Sequence, residues 1–200
     1  WELAEFPEQW QAAIGFVDEI WAPSAFVRSA IAARTTKPVI HMPLCVDIKP
    51  FTKHPRSAFD LDPNDYVFVS TFDCESFVDR KNPIASVRAF LRAFGPHERV
   101  RLVLKAMNTH VGGQAWQDVV NLAAEDPRVQ IIDQTWDFAR LLALIDCSDC
   151  YVSLHRCEGF GRGPAEAMLL KKPVIVTDYS GTSDYCKADN ALLVQSTLVP

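Results

Sequence analysis

Apolar positions along this chain follow two rhythms. From residue 66 onward, short continuous apolar runs at 66–72, 100–105, 129–133, 151–154 and 174–177 predict strands buried on both faces. Between them the spacing becomes helical. Ile84, Val87, Leu91 and Phe94 share one face, as do Trp116, Val119, Val120 and Ala123, and then Phe138, Leu141, Leu142 and Ile145. A further helix is predicted over 165–170 and a short element at 191–194. Continuous strands alternating with amphipathic helices predict an α/β, Rossmann-like parallel sheet with helices on both faces. Ligands on such sheets bind beyond the carboxyl ends of the strands.

The first 43 residues read as helix, strand, helix, strand. Phe6, Trp10, Ala13 and Val17 fall on one helical face after Pro7, and 19–22 is a short strand. Ser24 is placed to cap a helix carrying Phe26, Val27, Ala30 and Ile31, and 38–41 is a second strand. Residues 44–65 hold Pro50, Pro55 and Pro63 with little periodicity and read as an interdomain linker. The expected division is therefore an end of one domain over 1–43, a linker over 44–65 and a second domain over 66–200. Asp60-Leu61-Asp62 has the spacing of paired metal-binding carboxylates, but the following Pro63-Asn64-Asp65 makes it turn chemistry.

Composition narrows the classes. Hydrophobic content of 48%, charged content of 22% and a net charge of -5 describe an ordinary globular chain and argue against a general nucleic-acid binder. No apolar run approaches the roughly 20 residues that span a bilayer, and no secretory signal is present. Six scattered cysteines suit a reducing compartment. Cys147-x-x-Cys150 has zinc-like spacing without a second pair, and buried thiols are expected there. A cytoplasmic location follows, with peripheral membrane association left to parts outside this chain. The chain opens at Trp1 inside a predicted helix, so a fragment of a longer protein is expected, with the second domain truncated.

The most chemically loaded stretch is Cys157-Glu158-Gly159-Phe160-Gly161-Arg162-Gly163-Pro164-Ala165-Glu166-Ala167-Met168. Two carboxylates eight positions apart flank three glycines, between a strand and a helix. Pro164 suits the first helical position, which puts Glu166 in the first turn, toward the positive end of the helix dipole. Strand, glycine turn and helix form a backbone device for holding an anion. A carboxylate beside a phosphate repels it, whereas it accepts two sugar hydroxyls at once. The combination points to a sugar attached to a phosphate, as in a nucleotide sugar.

These residues resemble the donor-site signature of the retaining glycosyltransferases of family 4 (group 1 glycosyltransferases), which have the GT-B fold. Lys172-Pro173-Val174-Ile175-Val176-Thr177-Asp178 and Ser180-Gly181 resemble it too, and residues 18–24 are similar to the end of the first GT-B domain. The resemblance implies the C-terminal half of a GT-B fold plus the tail of the N-terminal acceptor domain. It implies that Glu158 faces the donor sugar and supports positive charge at its anomeric carbon, that Glu166 holds the ribose, and that Gly159, Phe160 and Gly161 line the sugar pocket. Arg162-Gly163 stands where the family often has Leu-Pro. Lys81, with Arg80, takes the place of the basic group that binds the donor diphosphate. Lys105 is either a site cation or a snorkelling strand end. Trp136 either stacks on the base or starts a helix. His155 either meets a phosphate or ribose or packs in the loop. Asp178, Ser180 and Gly181 are expected as supports around the site. No metal and no cofactor are implied, the nucleotide sugar being a substrate. The acceptor, whether a glycan, a lipid-linked sugar, a protein or a small molecule, is not legible. Another GT-B enzyme, such as a nucleotide-sugar epimerase or a phosphorylase, and a non-catalytic nucleotide-sugar-binding domain are the rival readings. The isolated chain is expected to bind nucleotide but to transfer sugar poorly.

Overall fold

A computed structural model describes residues 1–198. Its main body is a six-stranded, wholly parallel sheet built from β3 (Tyr66–Asp73), β4 (Val100–Met107), β5 (Val129–Asp133), β6 (Cys150–Ser153), β7 (Val174–Thr177) and β8 (Leu192–Val194), in the order β5-β4-β3-β6-β7-β8. A separate parallel pair, β1 (Ile20–Ala22) and β2 (Val39–His41), sits beside it. The helices are α1 (Gln11–Ile14), α2 (Ala25–Ala32), α3 (Val78–Lys81), α4 (Pro83–Ala93), α5 (Gly113–Ala123), α6 (Phe138–Cys147) and α7 (Arg162–Leu169). Among the described residues, no helix is long and apolar enough to cross a membrane.

Strand alternation divides the core. Val67, Val69 and Val103 point to one face, where Leu144, Ile145 and Ala167 of α6 and α7 cover them. Phe72, Leu102, Leu104 and Ala106 point to the other, against Val87, Phe90, Trp116 and Val119 of α4 and α5. Complete burial of one such Leu is worth about 1.5–3 kcal/mol. From β3 the chain runs outward through β4 and β5, then returns to place β6 on the other side of β3. At that reversal the connections after β3 and β6 lead to helices on opposite faces of the sheet, α4 on one and α7 on the other, which places a crevice beyond the carboxyl ends of these strands.

The predicted long helix through Val17 is instead a 3₁₀ turn, Glu8–Trp10, followed by the one-turn α1. Phe6 is buried with Ala22, Val27 and Ile31, while Trp10, Ala13 and Val17 are exposed. The helix stops at Gly15, and Lys37 Nζ takes the carbonyls of Ile14 and Val17 at 2.8 and 2.5 Å. Ser24 caps α2 by accepting from Val27 N at 3.2 Å. Within 44–65 the only helical turn is Arg56–Phe59, and Phe59 and Leu61 are buried in the core under β3. Asp62 Oδ1 accepts from Asn64 N at 2.8 Å, which is turn chemistry. β4 runs two residues beyond its predicted end, so Lys105 lies within the strand and not at its tip.

Candidate functional site

The crevice between β3 and β6 holds a cavity of about 350 Å³. Its floor carries the hydroxyls of Ser70 and Thr71 at the end of β3 and of Tyr151 and Ser153 on β6. Its wall is the turn at 158–164, and Arg80 and Lys81 close one side. This volume falls at the small end of the range for small-molecule sites, roughly 300–1,000 Å³.

Two loops are stitched together to form it. After β3, the chain turns through Phe77, whose φ of 62° is unusual for a bulky residue, and enters α3. Asn82, left-handed at φ 54°, ends α3, and Pro83 starts α4. Asn82 Nδ2 donates to Leu154 O at 2.9 Å, and Arg156 N donates to Arg80 O at 2.8 Å. Arg80 Nη1 donates to Cys157 O at 3.0 Å. These bonds hold the loop after β6 against α3, and the side chains then meet. Lys81 Nζ lies 2.6 Å from Glu158 Oε1, and Arg80 Nη1 lies 3.3 Å from Glu158 Oε2. Arg80 also reaches Glu2 at 2.9 Å. Glu158 is bracketed from behind: its N–H donates to Ser180 Oγ at 2.8 Å, and its carbonyl accepts from Gly181 N at 2.9 Å.

Gly161 has φ +88°, a conformation open to glycine, and caps α7. The helix therefore begins at Arg162, two residues earlier than expected. Pro164 is its third residue, and Glu166 its fifth, outside the first turn. The dipole argument for Glu166 gives way to a direct partner, Arg162 Nη2, 3.1 Å from Glu166 Oε1. Glu166 is buried, and desolvation pushes its carboxyl above the usual range, with Arg162 opposing that rise. Gly163 is required by contact: a Cβ there would stand 2.1 Å from the Tyr151 hydroxyl. That hydroxyl shares a 2.8 Å hydrogen bond with Thr71 Oγ1.

The structure brings Arg80, Lys81, Glu158, Gly159, Phe160, Gly161 and Arg162 to one cavity, with Glu166 joined to it through Arg162. It places three other candidates elsewhere. Lys105 is buried, gives its ammonium to Ala106 O at 2.9 Å and Gln134 O at 2.5 Å, and lies 5.0 Å from the centre of the Trp136 ring. Burial lowers its pKa. Trp136 itself is half-buried between Lys105 and Arg140. His155 is 1% exposed, with Nδ1 3.0 Å from Ser153 Oγ and Nε2 3.3 Å from both Tyr179 O and Thr182 Oγ1, and burial lowers its pKa. Asp178 accepts from Gln195 at 3.1 Å beyond β7. Cys147 and Cys150 are free, their thiols pushed up to about 11 by burial. Sequence reasoning passed over Ser70, Thr71, Tyr151 and Tyr185. Hydroxyl residues in the second half of β3 were the available signal, since that end of a parallel strand faces the ligand edge.

The family described as "Glycosyl transferases group 1" matches residues 76–199, more than half of the chain. No curated protein matches the sequence. The fold is shared with solved structures at low identity. Trehalose-6-phosphate synthase OtsA aligns with a TM-score of 0.72 and 15% identity over 94% of this chain and 51% of that one. The E. coli trehalose-6-phosphate structure bound with UDP-2-fluoro glucose gives 0.73 and 14% over 94% and 52%. The pneumococcal O-GlcNAc transferase GtfA in complex with UDP and GlcNAc gives 0.65 and 15% over 95% and 36%. The chain thus spans about half the length of the trehalose-6-phosphate synthase.

Proposed function

The chain belongs to the group 1 glycosyltransferases, and on that premise we propose that it is the donor-binding part of a retaining, family 4 type transferase. The reaction is transfer of a sugar from a nucleotide sugar to an acceptor hydroxyl, with retained anomeric configuration. One observation carries the reading: Lys81 and Glu158, 77 positions apart in sequence, meet at 2.6 Å on the wall of the crevice cavity. UDP-2-fluoro glucose in one structural neighbour and UDP with GlcNAc in another favour a donor of this class.

In this reading the diphosphate lies against Lys81, Arg80 and the free N–H groups at the start of α7. As the bond from the anomeric carbon to the diphosphate oxygen breaks, negative charge builds on the leaving group, and these donors stabilise it. Glu158, its backbone fixed at both ends, faces the sugar as positive charge develops at the anomeric carbon. Glu166 accepts the ribose hydroxyls. The cations do the charge neutralisation, so the reading needs no metal and no cofactor. Retention rests on the resemblance to family 4. The acceptor binds mainly to parts outside this chain, so the chain alone is expected to bind nucleotide and to transfer weakly. Six free cysteines favour a cytoplasmic setting.

The test is product analysis by NMR after incubating a longer protein that contains this chain with nucleotide sugars and an acceptor panel. A glycoside with the donor's anomeric configuration, lost on Glu158→Ala, supports the reading. An inverted product refutes retention, and an epimerised nucleotide sugar would move the assignment to an epimerase.

A further inference from the structure

Arg162 is the first residue of α7, where a positive charge opposes the helix dipole. Pairing with an acid four residues later does little to offset this, because a basic residue N-terminal to its acidic partner is the weaker orientation. Helix stability therefore does not account for a cation here. The side chain lies 64% exposed over the cavity mouth, with its guanidinium 5.9 Å from the Phe138 ring centre on α6. Its Nη2 atom is 3.1 Å from Glu166 Oε1, and Arg162 is the one ion-pair partner of that carboxylate among the described residues. The other titratable groups facing Glu166 are Tyr151 on β6 and Tyr185 after β7; both are uncharged, and each senses Glu158 as well. From α6, Phe138 lies against the Arg162 guanidinium and brings no charge of its own. A buried carboxylate in such surroundings takes up a proton unless a cation holds it.

We propose that Arg162 is a positioning residue for the nucleotide: across one turn of α7 it keeps Glu166 ionised and oriented, so that the carboxylate accepts both ribose hydroxyls. This rests on the reading of Glu166 as the ribose contact. A protonated Glu166 loses acceptor capacity and turns one oxygen into a donor. The ribose grip then depends on an exposed arginine at the mouth of the site, in the position where the resembling family often carries leucine.

Carbon-13 NMR titration of the Glu166 carboxyl in the wild type, Arg162→Met and Arg162→Lys tests the hold directly. Calorimetry with UDP, GDP, ADP and TDP across pH 5–8.5 tests its consequence. The carboxyl midpoint is expected to rise in Arg162→Met and to return part-way in Arg162→Lys. Nucleotide affinity in Arg162→Met should fall about tenfold per pH unit below the new midpoint and recover above it. An unmoved midpoint, or an affinity loss uniform across pH, overturns the proposal. If the midpoint moves but Glu166→Gln binds nucleotide as tightly as the wild type, the ribose reading fails instead. Absence of nucleotide binding by the wild type overturns both. Arg162 is largely exposed, so its variants are expected to fold.

Discussion

Gly163→Ala is expected to destabilise the chain, against the ordinary trend. Ala in a helix is normally favoured over Gly by about 0.5–1 kcal/mol. At this position the new Cβ would stand 2.1 Å from the Tyr151 hydroxyl oxygen and 2.9 Å from Cζ, below the 3.0 Å that real Cβ contacts respect. Tyr151 cannot yield easily, because it is 2% exposed, tied to Thr71 at 2.8 Å and packed in the core. Overpacking of this kind costs about 1–3 kcal/mol, so after the helix-propensity gain a net loss of about 1 kcal/mol is expected. Tyr151→Phe alone removes one hydrogen bond, worth about 1 kcal/mol. It also removes the atom that makes the 2.1 Å clash. The double variant should therefore lose less than the sum of the singles by about 1 kcal/mol or more. Urea unfolding followed by tryptophan fluorescence measures all three. A Gly163→Ala chain at least as stable as the wild type, or strict additivity in the double variant, would refute the argument.

Lys81→Ala leaves the buried Glu158 carboxylate with Arg80 alone, so it should cost about 1–3 kcal/mol in urea unfolding, less than the loss of a fully unpaired buried charge; no measurable loss would contradict the pair. His155 has a lowered folded pKa, so the unfolded chain binds the extra proton: its contribution to stability is fully present above the unfolded value of 6.5 and is lost as pH falls from there toward the folded value. His155→Asn should accordingly flatten the difference in urea midpoint between pH 5.5 and 7.5, and an unchanged difference would remove His155 as its source. Cys74, Cys147, Cys150 and Cys186, each raised to about 11, should resist iodoacetamide at pH 8 in the folded chain, while exposed Cys45 reacts. Mass spectrometry reads this, and equal labelling of all five would contradict the burial.

The parallel sheet was legible because strands buried on both faces leave continuous apolar runs, and each predicted strand from 66 onward is present. The glycine turn was legible because its residue types are chemically unusual together. What failed was local. Gly161, not Pro164, sets the start of α7, because a left-handed glycine cap precedes any preference of proline for the first turn. Lys105 looked like a strand end only because a charge interrupts an apolar run, whereas it lies buried inside β4 and its ammonium finds two carbonyls. The hydroxyls of Ser70 and Thr71 toward the carboxyl end of β3 were a faint signal, but their meeting with Tyr151 is assembled across β3 and β6, which no local spacing encodes. The meeting of Lys81 with Glu158 is likewise a product of the sheet's reversal at β3, which no local spacing encodes.

The central claim, that this cavity is a nucleotide-sugar donor site, is tested most directly by calorimetric titration of the chain with UDP, GDP, ADP and TDP, with and without magnesium. The account predicts selective binding of one nucleotide, independent of magnesium and lost in Glu166→Ala and Lys81→Ala. Binding that requires magnesium, or binding untouched by both substitutions, would contradict it.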